Sequence, residues 1–143
     1  MRTNFIKKKR VVAGSTAVEG ALVLTVFLTT FIGIIDIGTL LFRLQGLTER
    51  ARSGARWGIV NVYSETNIRN VVLYGNSAGG TTPMFSLTSA MVSVSQVDIG
   101  DGITKIQVRI TGYPVRFYTP FISGNRTMPP VEVSLTSESL GVT

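Results

Sequence analysis

The sequence predicts an α+β protein anchored in a membrane: one long N-terminal helix spans the bilayer, continues as a stalk and packs on a small antiparallel sheet of about three or four strands. Three observations predict this fold class. An apolar run of membrane length follows a basic leader, a helical pattern continues after it, and alternating apolar segments fill the second half of the chain. We divide the chain into a leader (1–14), the transmembrane helix and stalk (15–62), and an extracytoplasmic α+β head (63–143).

Composition and charge exclude several classes of function. The net charge of +6 is mostly a property of the leader, which carries five basic residues and no acid, whereas the remainder has nine basic and eight acidic residues. Without a basic patch in the folded part, we expect no nucleic-acid partner. Histidine and cysteine are absent, which removes the commonest general base and the commonest metal ligands. We therefore expect no enzymatic activity, metal, cofactor or small-molecule substrate.

Residues 20–42 form the candidate membrane span. This run of 23 residues contains one charge, Asp36. As a helix it is about 34 Å long, enough to cross the hydrocarbon core of a bilayer. A small domain has no room to bury a helix that is apolar all round, and the run is too long for a removed secretory signal. Because the leader holds more positive charge than the far side, we expect the N-terminus in the cytoplasm and the chain after Arg43 outside.

Polar and small residues inside the span indicate contacts. Asp36 lies near the outer end, and two interpretations stay open: its carboxylate reaches the outer interface, or it contacts a neighbouring helix. Thr29 and Gly33 have the small-xxx-small spacing that lets helices approach closely in lipid.

The helical pattern continues through residues 43–62, the predicted stalk. Leucine and small residues recur on one face, and polar residues occupy the opposite face. Small residues lower the intrinsic stability of a helix, so another element is expected to cover them, either the protein's own head or a neighbouring subunit. The predicted packing positions are Ala51, Gly54, Ala55 and Gly58.

The head is predicted to begin with a short helix and to continue as a sheet. Ser64 is a suitable N-cap, and Gly75 ends the helical pattern. Alternation predicts strands at 91–99, 103–110 and 131–136, each with one apolar face. The Tyr113-Pro114 pair interrupts the sheet, and residues 115–118 are expected to continue it.

Two candidate ligand sites in the head are better explained by turns. The glycine-rich stretch 75–83 lacks the Gly-Lys-Ser/Thr of a phosphate-binding loop. Asp98 and Asp101 flank a hairpin turn, and two carboxylates without a third ligand are a weak basis for a calcium site.

The junction of leader and span carries the most specific pattern. Gly14 is followed by Ser15, three small or apolar residues and Glu19, and the span begins at once. A carboxylate at the mouth of a membrane helix is costly and usually functional. This arrangement resembles a class III prepilin processing site, in which Gly14 ends a removed leader and Ser15 becomes the N-terminus.

Together with GIIDIG at 33–38 and ARSGAR at 51–56, this junction resembles the TadE-like family, minor pilins or pseudopilins of tight-adherence (Tad or Flp) pili. The resemblance is strong over residues 14–58. One departure is Gly20, which stands where the processing motif of this family often has an aromatic residue.

The resemblance implies a structural minor pilin for assembly of a type IVc pilus and cell adhesion. It would be cut after Gly14 by a prepilin peptidase, held in the bacterial inner membrane and incorporated in or under the filament. Its partners would be that peptidase, other pilins, assembly-platform proteins and the lipid bilayer. Glu19 would neutralise an N-terminal amine, its own or a neighbour's. Two alternatives remain: an uncleaved single-pass accessory or ligand-binding protein of an envelope or secretion complex, and a secreted protein that loses its anchor.

Overall fold

A single helix forms the axis of the molecule. The computed structural model describes residues 13–100, 102–119 and 126–137, and the basic residues of the predicted leader lie outside them. Helix α1 spans Ala13–Val60, 48 residues and about 72 Å, so the predicted membrane helix and stalk are one continuous element. The predicted α+β class is confirmed, with the helix packed on a three-stranded antiparallel sheet and a further two-stranded sheet beside it.

The two halves of α1 have different surroundings. Large apolar side chains before residue 36, such as Leu22, Phe27 and Ile34, are exposed on the first half. The threonines of this half donate their hydroxyls to carbonyls one turn back, as Thr25 does to Ala21 at 2.8 Å. From Leu40 onward, side chains of α1 pack on the head. The first half is long and apolar enough to cross a membrane.

Helix α2 spans Glu65–Tyr74, and the predicted boundaries are confirmed. The Ser64 side chain accepts a hydrogen bond from the amide of Asn67, and the amide of Gly75 donates to Val71 O at 2.9 Å. Gly75 has φ +77°, the left-handed conformation that glycine adopts readily at a helix end. Ile68 and Val72 are fully buried against α1.

The sheet follows two short 3-10 turns at Met84–Ser86 and Ser89–Met91. Its three antiparallel strands are β1 (Val92–Gly100), β2 (Ile103–Ile110) and, later in the chain, β5 (Val131–Thr136), in the order β1-β2-β5. Val108 of β2 lies opposite Val94 on one side and Val133 on the other. The alternation predicted for β2 is confirmed, since Ile106, Val108 and Ile110 are buried against the helices.

The prediction for residues 115–118 is wrong, because this segment does not continue the sheet. Gly112, with φ +70°, turns the chain away after β2. Strand β3 (Pro114–Val115) then pairs with β4 (Arg126–Thr127) in the separate two-stranded sheet. Pro114 has no amide hydrogen to donate to a neighbouring strand, which explains why the chain leaves the main sheet at this point.

The core lies between the second half of α1, α2 and the inner face of the sheet. Its fully buried members include Leu47, Ala51, Ile68, Val72 and Val108. Trp57 packs at its edge, as expected of a residue so far past the span. Val62, the last residue of the predicted stalk, is 90% exposed because α1 ends at Val60.

Candidate functional site

The N-terminal junction lies at the start of α1. The bond between Gly14 and Ser15 lies in α1, next to Ala13, the first residue that the structure describes. Glu19 is exposed one turn later. It borders an open groove along the helix, where a Cβ on Gly20 would meet no described atom within 4 Å. The residues lining this groove are Thr16, Glu19, Gly20, Val23, Leu24 and Phe27.

Asp36 is the one buried charged side chain among the described residues, at 3% exposure. The amide of Tyr118 donates to both of its carboxylate oxygens, at 2.9 and 3.0 Å. Thr119 donates its amide at 2.8 Å and its hydroxyl at 2.5 Å to Oδ2. We call this contact the Asp36 clamp. The sequence left an interfacial carboxylate or a neighbouring helix as its explanations, and the structure shows a third arrangement, in which the head itself supplies the donors.

The Asp36 clamp joins two distant parts of the chain, since Tyr118 and Thr119 follow Asp36 by 82 and 83 residues. Hydrogen bonds to an ionised carboxylate are shorter and stronger than neutral ones, and three donor groups compensate a charge that would be costly in an apolar environment. The segment after β3 is therefore attached to α1 inside the apolar run. Sequence reasoning did not identify Tyr118 or Thr119, since backbone amide donors leave no signature in the side-chain pattern.

Thr29 and Gly33 lie half-buried on α1, one turn apart. The Thr29 hydroxyl donates to Thr25 O at 2.8 Å, and a Cβ on Gly33 would meet no described atom within 4 Å. Within residues 13–100, 102–119 and 126–137, the space beside Gly33 is therefore open to a second helix.

The small residues of the stalk are covered by the head. Ala51 and Ala55 are fully buried. A Cβ on Gly54 would lie 2.4 Å from Cγ2 of Val72, and one on Gly58 would lie 2.6 Å from Cδ1 of Ile68, both on α2. Of the two coverings that the sequence left open, the structure shows the intramolecular one for these positions.

The outer face of the head carries small networks of surface hydrogen bonds. On the sheet, Arg109 donates to Glu132 Oε2 from Nε at 2.9 Å and from Nη2 at 2.5 Å, and Gln107 donates to Oε1. The hydrogen bonds from Arg109 lower the pKa of Glu132 below its usual value. At the hairpin, Asp98 Oδ1 accepts from the amide of Gly100 at 2.9 Å, a turn contact, while Asp101 lies outside the described residues.

Comparisons with known proteins give a match for most of α1 and none for the head. The chain matches no curated protein and no solved structure. A family model described as TadE-like protein matches residues 14–56. The matched segment includes the Gly14 junction, the Asp36 position and the small residues at 51–56, and it ends before the head. The chain thus carries a TadE-like segment, which indicates a membrane-anchored protein associated with Tad pili.

Proposed function

We propose that this protein is a minor pilin or pseudopilin of a tight-adherence pilus, a structural subunit without enzymatic activity or cofactor. It is held in the inner membrane by the first half of α1, with its N-terminus in the cytoplasm and its head outside. A prepilin peptidase removes the leader after Gly14, and the mature subunit then associates with other pilins and with the assembly platform.

The observation that carries this proposal is the division of α1 at Asp36. The half before Asp36 is bare and apolar, and the half after Leu40 carries the head. The family model matches residues 14–56, which include most of both halves. A subunit built in this way can lie in a bilayer by its first half. It can also exchange that lipid for neighbouring helices in a filament without unfolding its head. The open space beside Gly33 supports such exchange.

The junction has the chemistry that processing requires. Glycine before the scissile bond lets the backbone approach catalytic carboxylates closely. Cleavage would create an ammonium group on Ser15, four residues before Glu19 and on the same helical face. A pair of opposite charges at this position is far less costly in a helix bundle than either charge alone.

The test is the intact mass and the N-terminal sequence of the full chain, extracted from membranes with and without the matching prepilin peptidase. We expect a start at Ser15 only when the peptidase is present. Gly14→Ala should block the cut, whereas Gly38→Ala, the same change at an open helix position far from the junction, should leave it intact.

Two results would contradict the proposal in different ways. A chain that keeps Met1 under both conditions would instead be an uncleaved single-pass accessory protein of an envelope or secretion complex. A mature mass close to that of the head alone would identify a secreted protein whose anchor is removed.

A further inference from the structure

The position of the Asp36 clamp along α1 sets the depth of the head relative to the bilayer. A hydrocarbon core of about 30 Å that begins at Gly20 ends near Leu40, about 6 Å beyond Asp36. The carboxylate therefore lies inside the apolar layer, and so do the backbone amides of Tyr118 and Thr119 that bind it.

An alternative placement moves the bilayer toward the N-terminus until water reaches the Asp36 clamp. In that placement Glu19 lies inside the hydrocarbon. Asp36 receives hydrogen bonds from three donor groups. The Glu19 carboxylate has no hydrogen bond or ion pair within the part of the chain that the structure describes, and its partner after the proposed cleavage, the Ser15 ammonium, would have to enter the hydrocarbon with it. A bare carboxylate, or one immersed together with an ammonium group, costs more in hydrocarbon than a carboxylate that already holds three hydrogen bonds. The immersed carboxylate is therefore Asp36.

The surface around the Asp36 clamp is apolar and open. On α1, Ile37, Leu41 and Phe42 are exposed at the level of the clamp and just above it. Beside them is an open cleft of about 420 Å³, whose lining includes Leu40, Phe117 and Met128. Apolar side chains are thus exposed on α1 at the end of the membrane span, and the cleft that Leu40 lines is mostly apolar, with Arg126 and Thr127 also in its lining.

The segment that the Asp36 clamp holds has the composition of a membrane interface. Tyr118 is 66% exposed although its amide is bound to α1. Exposed Arg116 precedes it by two residues, and Arg126, which lies opposite Val115, is exposed as well. Tyrosine and arginine are typical of the headgroup level, where the ring lies among acyl chains and the polar groups meet phosphates.

We propose that residues 116–119 form a second membrane contact, held by Asp36, in which Tyr118 enters the outer leaflet and Arg116 and Arg126 meet lipid phosphates. The head then sits on the bilayer surface instead of standing above it on a free stalk. This inference rests on the proposed membrane anchorage and adds a lipid-binding surface on the head.

The test places a single tryptophan in the full chain, in a Trp57→Phe background whose folding is checked by circular dichroism. Three variants carry it: Tyr118→Trp is the head reporter, Phe27→Trp in the bare half of α1 is the anchor reporter, and Val62→Trp beyond the end of α1 is the outer reporter. Each is reconstituted in phosphatidylcholine–phosphatidylglycerol vesicles with lipids brominated either near the headgroup or near the chain end. Bromine quenches a nearby indole, so the fluorescence loss reports depth.

We expect the head reporter to be quenched most by bromine near the headgroup, the anchor reporter most by bromine near the chain end, and the outer reporter by neither. Adding Asp36→Ala should reduce the quenching of the head reporter and leave that of the anchor reporter unchanged.

Three results would contradict this inference at different levels. Quenching of the anchor reporter without quenching of the head reporter would overturn the second contact and leave the anchor intact. If the anchor reporter is also unquenched, both the anchor and this inference fail. Unchanged quenching of the head reporter in the Asp36→Ala variant would overturn the role of Asp36.

Discussion

Replacing Gly54 by alanine tests how closely α1 packs on α2. The added Cβ would lie 2.4 Å from Cγ2 of Val72 and 3.3 Å from the carbonyl oxygen of Ile68. Val72 is fully buried, and its β-branched side chain has few alternative rotamers, so the two helices must separate. Such overpacking costs about 1–3 kcal/mol. Alanine in place of glycine in a helix returns about 1 kcal/mol, so we expect a net loss of about 1 kcal/mol in the free energy of unfolding.

The assay is urea unfolding of the full chain in detergent micelles, followed by the fluorescence of Trp57, the only tryptophan in the sequence. Trp57 packs at the edge of the head core and therefore reports its unfolding. Gly38→Ala is the matched control, because a Cβ there meets no described atom within 4 Å. We expect this control to leave the unfolding midpoint unchanged or slightly raised.

A double-mutant cycle identifies the contact. Val72→Ala removes the methyl group that the new Cβ would meet, so Gly54→Ala should cost less in that background, with a coupling of about 0.5–3 kcal/mol. The reasoning is refuted if Gly54→Ala raises the stability as much as Gly38→Ala does, or if the cycle shows no coupling.

Three further predictions concern the Asp36 clamp, the sheet surface and the core. In micelles, trypsin should cleave after exposed Arg116 faster in Asp36→Ala than in Asp36→Asn, because asparagine keeps one acceptor oxygen for the clamp. Equal cleavage rates in both variants and the wild type would contradict the clamp. Arg109 lowers the pKa of Glu132 from 4.5, so the stability from this pair is present above that value and lost as pH falls through the lowered pKa. Glu132→Gln should therefore be less stable than wild type at neutral pH and equal to it in acid; a pH-independent difference in urea midpoint would contradict the pairing. Leu47→Ala should lower the free energy of unfolding by about 2–5 kcal/mol, whereas Leu22→Ala on the bare half should not, as Trp57 fluorescence in urea will show.

The elements that local chemistry determines were predictable from the sequence. The Ser64 cap and Gly75 fix the ends of α2, and the alternation of β2 identifies its buried face without knowledge of its neighbours. The long apolar helix was equally clear, because its length and composition meet a requirement set by the bilayer.

Contacts between distant segments were not predictable in this way. The departure of residues 115–118 from the sheet depends on pairing with β4, which follows later in the chain. The ring of Phe85 covers Gly46, and a Cβ added to Gly46 would lie 2.3 Å from that ring. This contact was not predicted, because Phe85 belongs to a turn about 40 residues later in the chain. For Asp36 the sequence left two interpretations open, and neither named its partners, because two of the three donors are backbone amides, which any residue type supplies.

The continuity of α1 makes the protein a lever. The part of the helix after Asp36 runs about 36 Å to Val60 without a break, and the core of the head is built on it. A tilt of about 20°, the average for membrane helices, would displace the far end sideways by about 12 Å. Since the Asp36 clamp holds the head at the base of this lever as well, the head must follow the tilt as one body. A change in tilt, whether caused by a thinner bilayer or by packing against neighbouring helices, therefore moves the outermost surface of the protein.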